Sequence, residues 1–292
     1  MDTEIVFQDW RPTIRLPRTF LPIPTPGTEQ IVIVVANQKG GAGKTTTVVE
    51  LAAAFVAAGL TVRIIDGDPQ LEGSLGDWMN PVLPEGTTLE TMKSLFDVFK
   101  RTATLDEATY PTSVQGLYIV PSLLNLGMVE TDNTLVGRET VLAMATKQSK
   151  LPVHVNIIDT PPALGNLLIA GLTAANTAIV PLSIGGLDSK AMASLNRTIS
   201  LVQTIHNPDL RVRGIVLTAW EKNKLARDIG EQLSLDYPDA VILPARKSVR
   251  TAEAPLTNTP TRVYDPEGQT ASDFDQLAQI LLANLPRQKS RR

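Results

Sequence analysis

Apolar, β-branched runs of about six residues recur along the chain, separated by longer stretches with helical spacing. Residues 31–36 are apolar without polar alternation, as expected of a strand buried on both faces. Residues 45–58 then carry a helical pattern closed by Gly59. Further strands are predicted at 60–65, 117–120, 153–158, 177–182, 213–218 and 241–243, with helical stretches such as 189–205 between them. This alternation predicts an α/β fold: a mostly parallel, twisted sheet flanked by helices on both faces. Neither an internal repeat nor a glycine–serine linker interrupts residues 30–285, so they are expected to form one domain.

The two ends read differently. Residues 1–29 hold Pro12, Pro17, Pro22, Pro24 and Pro26, which favour extended backbone and exclude a regular helix. They are expected to be an extended arm, which Trp10 and Phe20 would anchor if it docks. Residues 286–292 form a basic tail without the apolar face of an amphipathic membrane helix.

Composition removes several kinds of chemistry. Of the 292 residues none is cysteine, so disulfides, thiolate metal sites and iron–sulfur clusters are excluded. The two histidines, His154 and His206, stand far apart and are expected to be packing or helix-end residues. A net charge of −3 argues against a general basic coat for nucleic acid but permits a local basic patch. No apolar run reaches the length of a membrane span, and a cytoplasmic location is expected.

The chemistry concentrates between the first strand and the first helix, in Asn37-Gln38-Lys39-Gly40-Gly41-Ala42-Gly43-Lys44-Thr45-Thr46. Strand, glycine-rich loop and helix are the setting of a phosphate cradle. The glycines let backbone N–H groups converge on an anion, and the helix N-terminus adds unpaired donors. Lys44 is expected to reach the β- and γ-phosphates of a nucleotide, and the Thr45 hydroxyl to ligate Mg²⁺. The usual first glycine is replaced by Gln38, and a second lysine, Lys39, precedes Lys44.

Two further predicted strands end in carboxylates, where open α/β sheets place their ligands. Asp159 has the form of a Walker B acid that holds Mg²⁺, directly or through water. Pro161 and Pro162 stiffen the turn behind it. In Asp66-Gly67-Asp68, Asp68 is placed to orient or deprotonate an attacking water. Asp66 is expected to support the site by bonding the loop or the magnesium waters.

Together these residues resemble the ParA family of partition ATPases, a branch of the signature-lysine P-loop ATPases that also includes MinD. The resemblance runs over roughly residues 31–285. It is carried by the loop, by Asp66-Gly67-Asp68-Pro69-Gln70, by Ile158-Asp159-Thr160-Pro161-Pro162-Ala163-Leu164-Gly165, by Val249-Arg250-Thr251-Ala252-Glu253-Ala254-Pro255 and by Tyr264-Asp265-Pro266. It implies ATP and Mg²⁺ as ligands and a homodimer with ATP between the subunits, Lys39 crossing to the partner's nucleotide. It further implies non-specific binding of double-stranded DNA, hydrolysis stimulated by a ParB-like centromere-binding protein, and residence on the nucleoid rather than a membrane.

The family's DNA contact maps onto Arg250, with Arg246 and Lys247 beside it. Lys222 and Lys224 offer a second basic cluster. Pro244 falls in the segment that borders adenine in relatives, although that segment is longer here. Leu71-Glu72 also departs from the usual continuation of the second motif. The rival readings are a ParA-like ATPase that positions a protein cargo, a MinD-like membrane-cycling ATPase, and a nucleotide-gated scaffold with negligible turnover.

Overall fold

The two faces of β1 (Ile31–Val35) set the architecture. Ile33 and Val35 pack into one apolar cluster and Val32 and Val34 into another, because neighbours on a strand point to opposite sides. The computed structural model describes residues 30–70, 74–183, 189–221 and 223–284. The other strands are β2 (Val62–Asp66), β3 (Tyr110–Pro111), β4 (Leu117–Val120), β5 (Val155–Asp159), β6 (Thr177–Ser183), β7 (Arg211–Trp220) and β8 (Val241–Arg246). They form one eight-stranded sheet in the order β3-β4-β2-β5-β1-β6-β7-β8, parallel throughout except for the β3–β4 pair.

Helices cover both faces. On one side lie α1 (Lys44–Ala57), α2 (Leu75–Met79) and α10 (Gln269–Asn284), contributing Val48, Leu51, Phe55, Trp78, Phe274 and Leu277 to the core. On the other lie α3 (Leu95–Phe99), α5 (Arg138–Gln148), α6 (Asn166–Ala174), α7 (Ser189–Ile205) and α8 (Lys224–Asp236), with Phe99, Leu142, Leu168, Ile199 and Leu233. The short α4 (Met128–Thr131) and α9 (Val249–Glu253) sit in connections.

Three differences from the sequence expectation bear on the site. β2 and β5 each run one residue further than expected, so Asp66 and Asp159 are the last residues of their strands and stand as direct cross-strand partners. β7 continues past a positive-φ residue, Ala219, to Trp220, where the pairing with β8 is irregular. β8 continues through Pro244, which lacks a backbone donor. The strand tolerates it because β8 is the sheet edge. The arm 1–29, the tail 286–292 and Lys222 lie outside the described residues.

Candidate nucleotide-binding site

The loop after β1 is held from below. The Asn37 side chain accepts from Lys39 N at 2.9 Å and donates to Pro181 O on β6, tying the start of the loop to the neighbouring strand. Gly41 and Gly43 then take left-handed conformations, φ +70 and +87, which L side chains rarely adopt. Gly43 is constrained twice over, since a Cβ there would stand 3.0 Å from Thr218 Cγ2. Thr218, on β7, also donates its hydroxyl to Ala42 O at 3.0 Å. At Gly40 and Gly41 the space a Cβ would take is open.

Lys44 and Thr45 open α1, behind an N-cap glycine that offers no side chain to the first N–H groups. Those donors therefore remain for an anion. Lys44 is only 8% exposed. Burial holds its pKa below the usual lysine value, opposed by the charges of Asp159 and Asp68. The Thr45 hydroxyl donates to Asp159 Oδ2 at 2.8 Å. Burial lifts the Asp159 carboxyl to about 6, against the pull of Thr45 and Lys44 and with the help of Asp68. Thr46 is half-buried one residue further along the helix, and Lys39 lies exposed at the rim of the loop.

The two acidic strand ends form one unit. Gly67 N donates to Asp159 O at 3.1 Å, and a Cβ at Gly67 would fall 2.5 Å from that same oxygen. Only glycine permits this approach. Asp68 is half-buried, with Oδ1 accepting from Gln70 N at 3.2 Å and its carbonyl accepting from the Ser122 hydroxyl at 2.7 Å. Asp66 is expected from the sequence to bond the loop or the magnesium waters. It accepts from Asp68 N at 3.2 Å and Gly76 N at 2.9 Å, and so braces the turn that carries Asp68. Its carboxyl is pushed up to about 7 by burial and then by the charge of Asp159 beside it.

A phosphate chain with Mg²⁺ fits this cradle. The left-handed glycines leave an open concavity, Lys44 faces it from within, and the Thr45–Asp159 pair offers a hydroxyl and a carboxylate to a hard cation. Gln38 Nε2 is buried without a protein partner at the start of the loop, a donor that an anion or water would satisfy. Pro244 pairs with Leu217, the residue before Thr218, which brings the edge strand toward the loop.

The ends of β7 and β8, from which the expected DNA contacts lead, lie side by side, with Lys247 N donating to Trp220 O at 3.4 Å. Arg246 is committed to α10: its backbone N and guanidinium both bind Asp273, with the Nε–Oδ1 distance at 3.0 Å. Its side chain nonetheless remains 37% exposed. Lys247 pairs with Glu221 at 3.6 Å and Arg250 with Glu253 at 3.3 Å, all on exposed side chains where such pairs hold weakly. Lys224 is exposed at the first residue of α8.

A family profile described as an AAA domain matches residues 30–212. The chromosome partitioning protein ParA of Caulobacter vibrioides (strain NA1000 / CB15N) is 31% identical over 259 residues, covering 86% of this chain and 94% of that protein. The chain belongs to the ParA/Soj family. The sporulation initiation inhibitor protein Soj of Bacillus subtilis (strain 168) is 30% identical over 258 residues, covering 87% of this chain and 98% of its own. A solved structure described as cobyrinic acid a,c-diamide synthase from Mycobacterium smegmatis, with bound ATP analogue and magnesium, is 30% identical. It matches at a TM-score of 0.69, covering 87% of this chain and 94% of that one.

In this ParA/Soj chain three contributors to the site had not been anticipated: Thr218, Ser122 and the close approach at Gly67. Thr218 carried a faint signal as a polar residue ending an apolar run. Ser122 carried none, since it reaches Asp68 from a loop far along the chain.

Proposed function

We propose that this chain is a DNA-partition ATPase. ATP draws two copies into a dimer with nucleotide between them, the dimer binds double-stranded DNA without sequence preference, and a ParB-like protein stimulates hydrolysis. The observation that carries this reading is the separation of the two loop lysines. Lys44 is buried near Asp159 and Asp68, as a residue serving its own subunit's nucleotide would be, whereas Lys39 is exposed at the rim. A cation so placed can reach phosphate across an interface, as an arginine finger does.

Within one subunit, Gly40 to Thr46 cradle the phosphates and Lys44 neutralises their charge. Thr45, with Asp159 through water, would hold Mg²⁺, which supplies charge neutralisation at the β- and γ-oxygens. Asp68 orients the attacking water, and Asp66 holds Asp68 in place. Pro244 and its neighbours border the base. Arg250, Lys247 and Lys224 supply exposed cations for DNA, joined by Lys222. The protein would act in the cytoplasm, on the nucleoid. Among the described residues no helix is long and apolar enough to cross a membrane.

The deciding experiment measures binding to unrelated duplexes with ATP, with ADP and without nucleotide, across a salt series. Binding confined to ATP, independent of sequence and weakening steeply with salt, is expected. Equal binding without nucleotide, or none with ATP, overturns the proposal.

A further inference from the structure

The segment that follows β4 runs from the turn after β2 to the start of α6. At its start the Ser122 hydroxyl donates to Asp68 O at 2.7 Å. Further on, Gly127 sits against Pro69, where a Cβ at Gly127 would stand 3.9 Å from that ring. In the turn of helix that follows, the Glu130 carboxylate spans to α6. It accepts from Asn166 N at 2.6 Å and from Leu167 N at 3.1 Å, the first N–H groups of that helix. Arg138 fixes the far end of the segment, donating to Val129 O at 2.8 Å and Asp132 O at 3.0 Å.

Helices usually meet this need locally, with Ser, Asp or Asn at the N-cap. Here the N-cap is Gly165, which has no side chain, and a Cβ at that position would lie 2.3–2.4 Å from the Glu130 carboxylate. A local cap would secure α6 alone. A cap borrowed from residue 130 ties the start of α6, and with it the turn that leaves Asp159, to the segment that holds Asp68. The carboxylate also meets the positive end of the helix dipole with both of its oxygens engaged.

We propose that Glu130 is a positioning residue for hydrolysis: it locks the Asp68 turn and the Asp159–Gly165 segment into one piece, so that the water-orienting and metal-holding carboxylates keep their separation. The proposal rests on the ATPase reading above. Glu130 touches neither nucleotide nor water in this scheme, and its effect on rate comes through geometry.

The test compares Glu130→Ala, Glu130→Gln, Gly165→Ala and the Glu130→Ala/Gly165→Ala double variant in the full chain. It measures turnover, nucleotide affinity and amide hydrogen exchange with ATP bound. Glu130→Ala is expected to lower kcat about ten- to a hundredfold, the range that misplacement produces, with nucleotide affinity within about twofold of wild type. Gly165→Ala, by pushing the carboxylate aside, should do the same, and the double variant should be no worse than either single one. Glu130→Gln keeps an acceptor oxygen and should recover part of the rate. Exchange should quicken together at Asn166–Leu167 and at the Asp68–Gln70 turn. A kcat within about twofold of wild type, additive effects, or faster exchange confined to α6 would each overturn the proposal. If wild type itself does not turn over, the ATPase reading fails on that control. The exchange pattern then decides the tie between the two segments independently.

Discussion

Lys44 and Lys39 stand on the same loop and differ in almost every physical respect. The first is buried near two carboxylates; the second is exposed at the rim. Lys44→Ala should therefore remove a charge-assisted contact worth about 1.5–3 kcal/mol, a loss of at least about tenfold in nucleotide affinity. Titration with a fluorescent ATP analogue measures this, and unchanged affinity would contradict the cradle assignment. The paired aspartates make a second prediction. Asp66 and Asp159 are raised to about 7 and about 6 from an ordinary value of 3.8. The charge of Asp159 resists ionisation of Asp66 beside it. The folded protein thus holds protons that the unfolded chain has released. Stability from this pair is full below about pH 4 and is lost as pH rises through about 6 to 7. The nucleotide-free Tm should fall between about pH 4 and 7, and Asp66→Asn should flatten that slope. A slope identical to wild type in the variant would remove Asp66 as its source.

At the scale of elements, one side chain links the edge of the sheet to α10. Asp273, on α10, accepts from the backbone N and the guanidinium of Arg246, and the apolar face of α10 packs Phe274, Leu277 and Leu281 into the core shared with α1. β8 is thereby fastened to the helix that also touches the phosphate-loop helix. Asp273→Ala leaves the Arg246 N–H and guanidinium without their acceptor and should cost about 1–3 kcal/mol, read from urea unfolding. Faster amide exchange should be concentrated in β8. Stability within about 0.5 kcal/mol of wild type would show that the apolar contacts suffice. The long elements were readable because their patterns are local: unbroken β-branched strands, and a helix between Lys44 and Gly59. Tyr110–Pro111 and the passage of β8 through Pro244 were not. A two-residue edge strand has no period to read, and the short apolar run before Pro244 carries no signal that the strand continues beyond it along the sheet edge.

For the whole molecule the order of strands matters most. The chain leaves β1 for β2 and later inserts β5 between them, so that three loaded strand ends converge: the phosphate loop, Asp66-Gly67-Asp68 and Asp159. Hydrolysis in such a site is chiefly positioning, and here it is proposed to time the separation of two copies. Asp68→Ala should bind ATP normally, hydrolyse at least about tenfold more slowly and persist as a dimer on a sizing column with ATP. Wild-type turnover in this variant would show that another group orients the water.

The amino-acid sequence by itself determined the α/β class, the phosphate loop with its two lysines, and the acidic ends of two strands. All are carried by residues close together in the chain, where glycine placement, β-branching and helix signals act directly. Only the tertiary structure decided that Asp66 and Asp159 face each other across β2 and β5. It alone showed that Gly67 is glycine because Asp159 O leaves no room, and that Thr218 clamps the loop. It also showed that Arg246 joins β8 to Asp273 on α10. These contacts join segments that lie tens to more than a hundred residues apart, and their energies depend on distance in space, which strand order creates and local sequence pattern does not record.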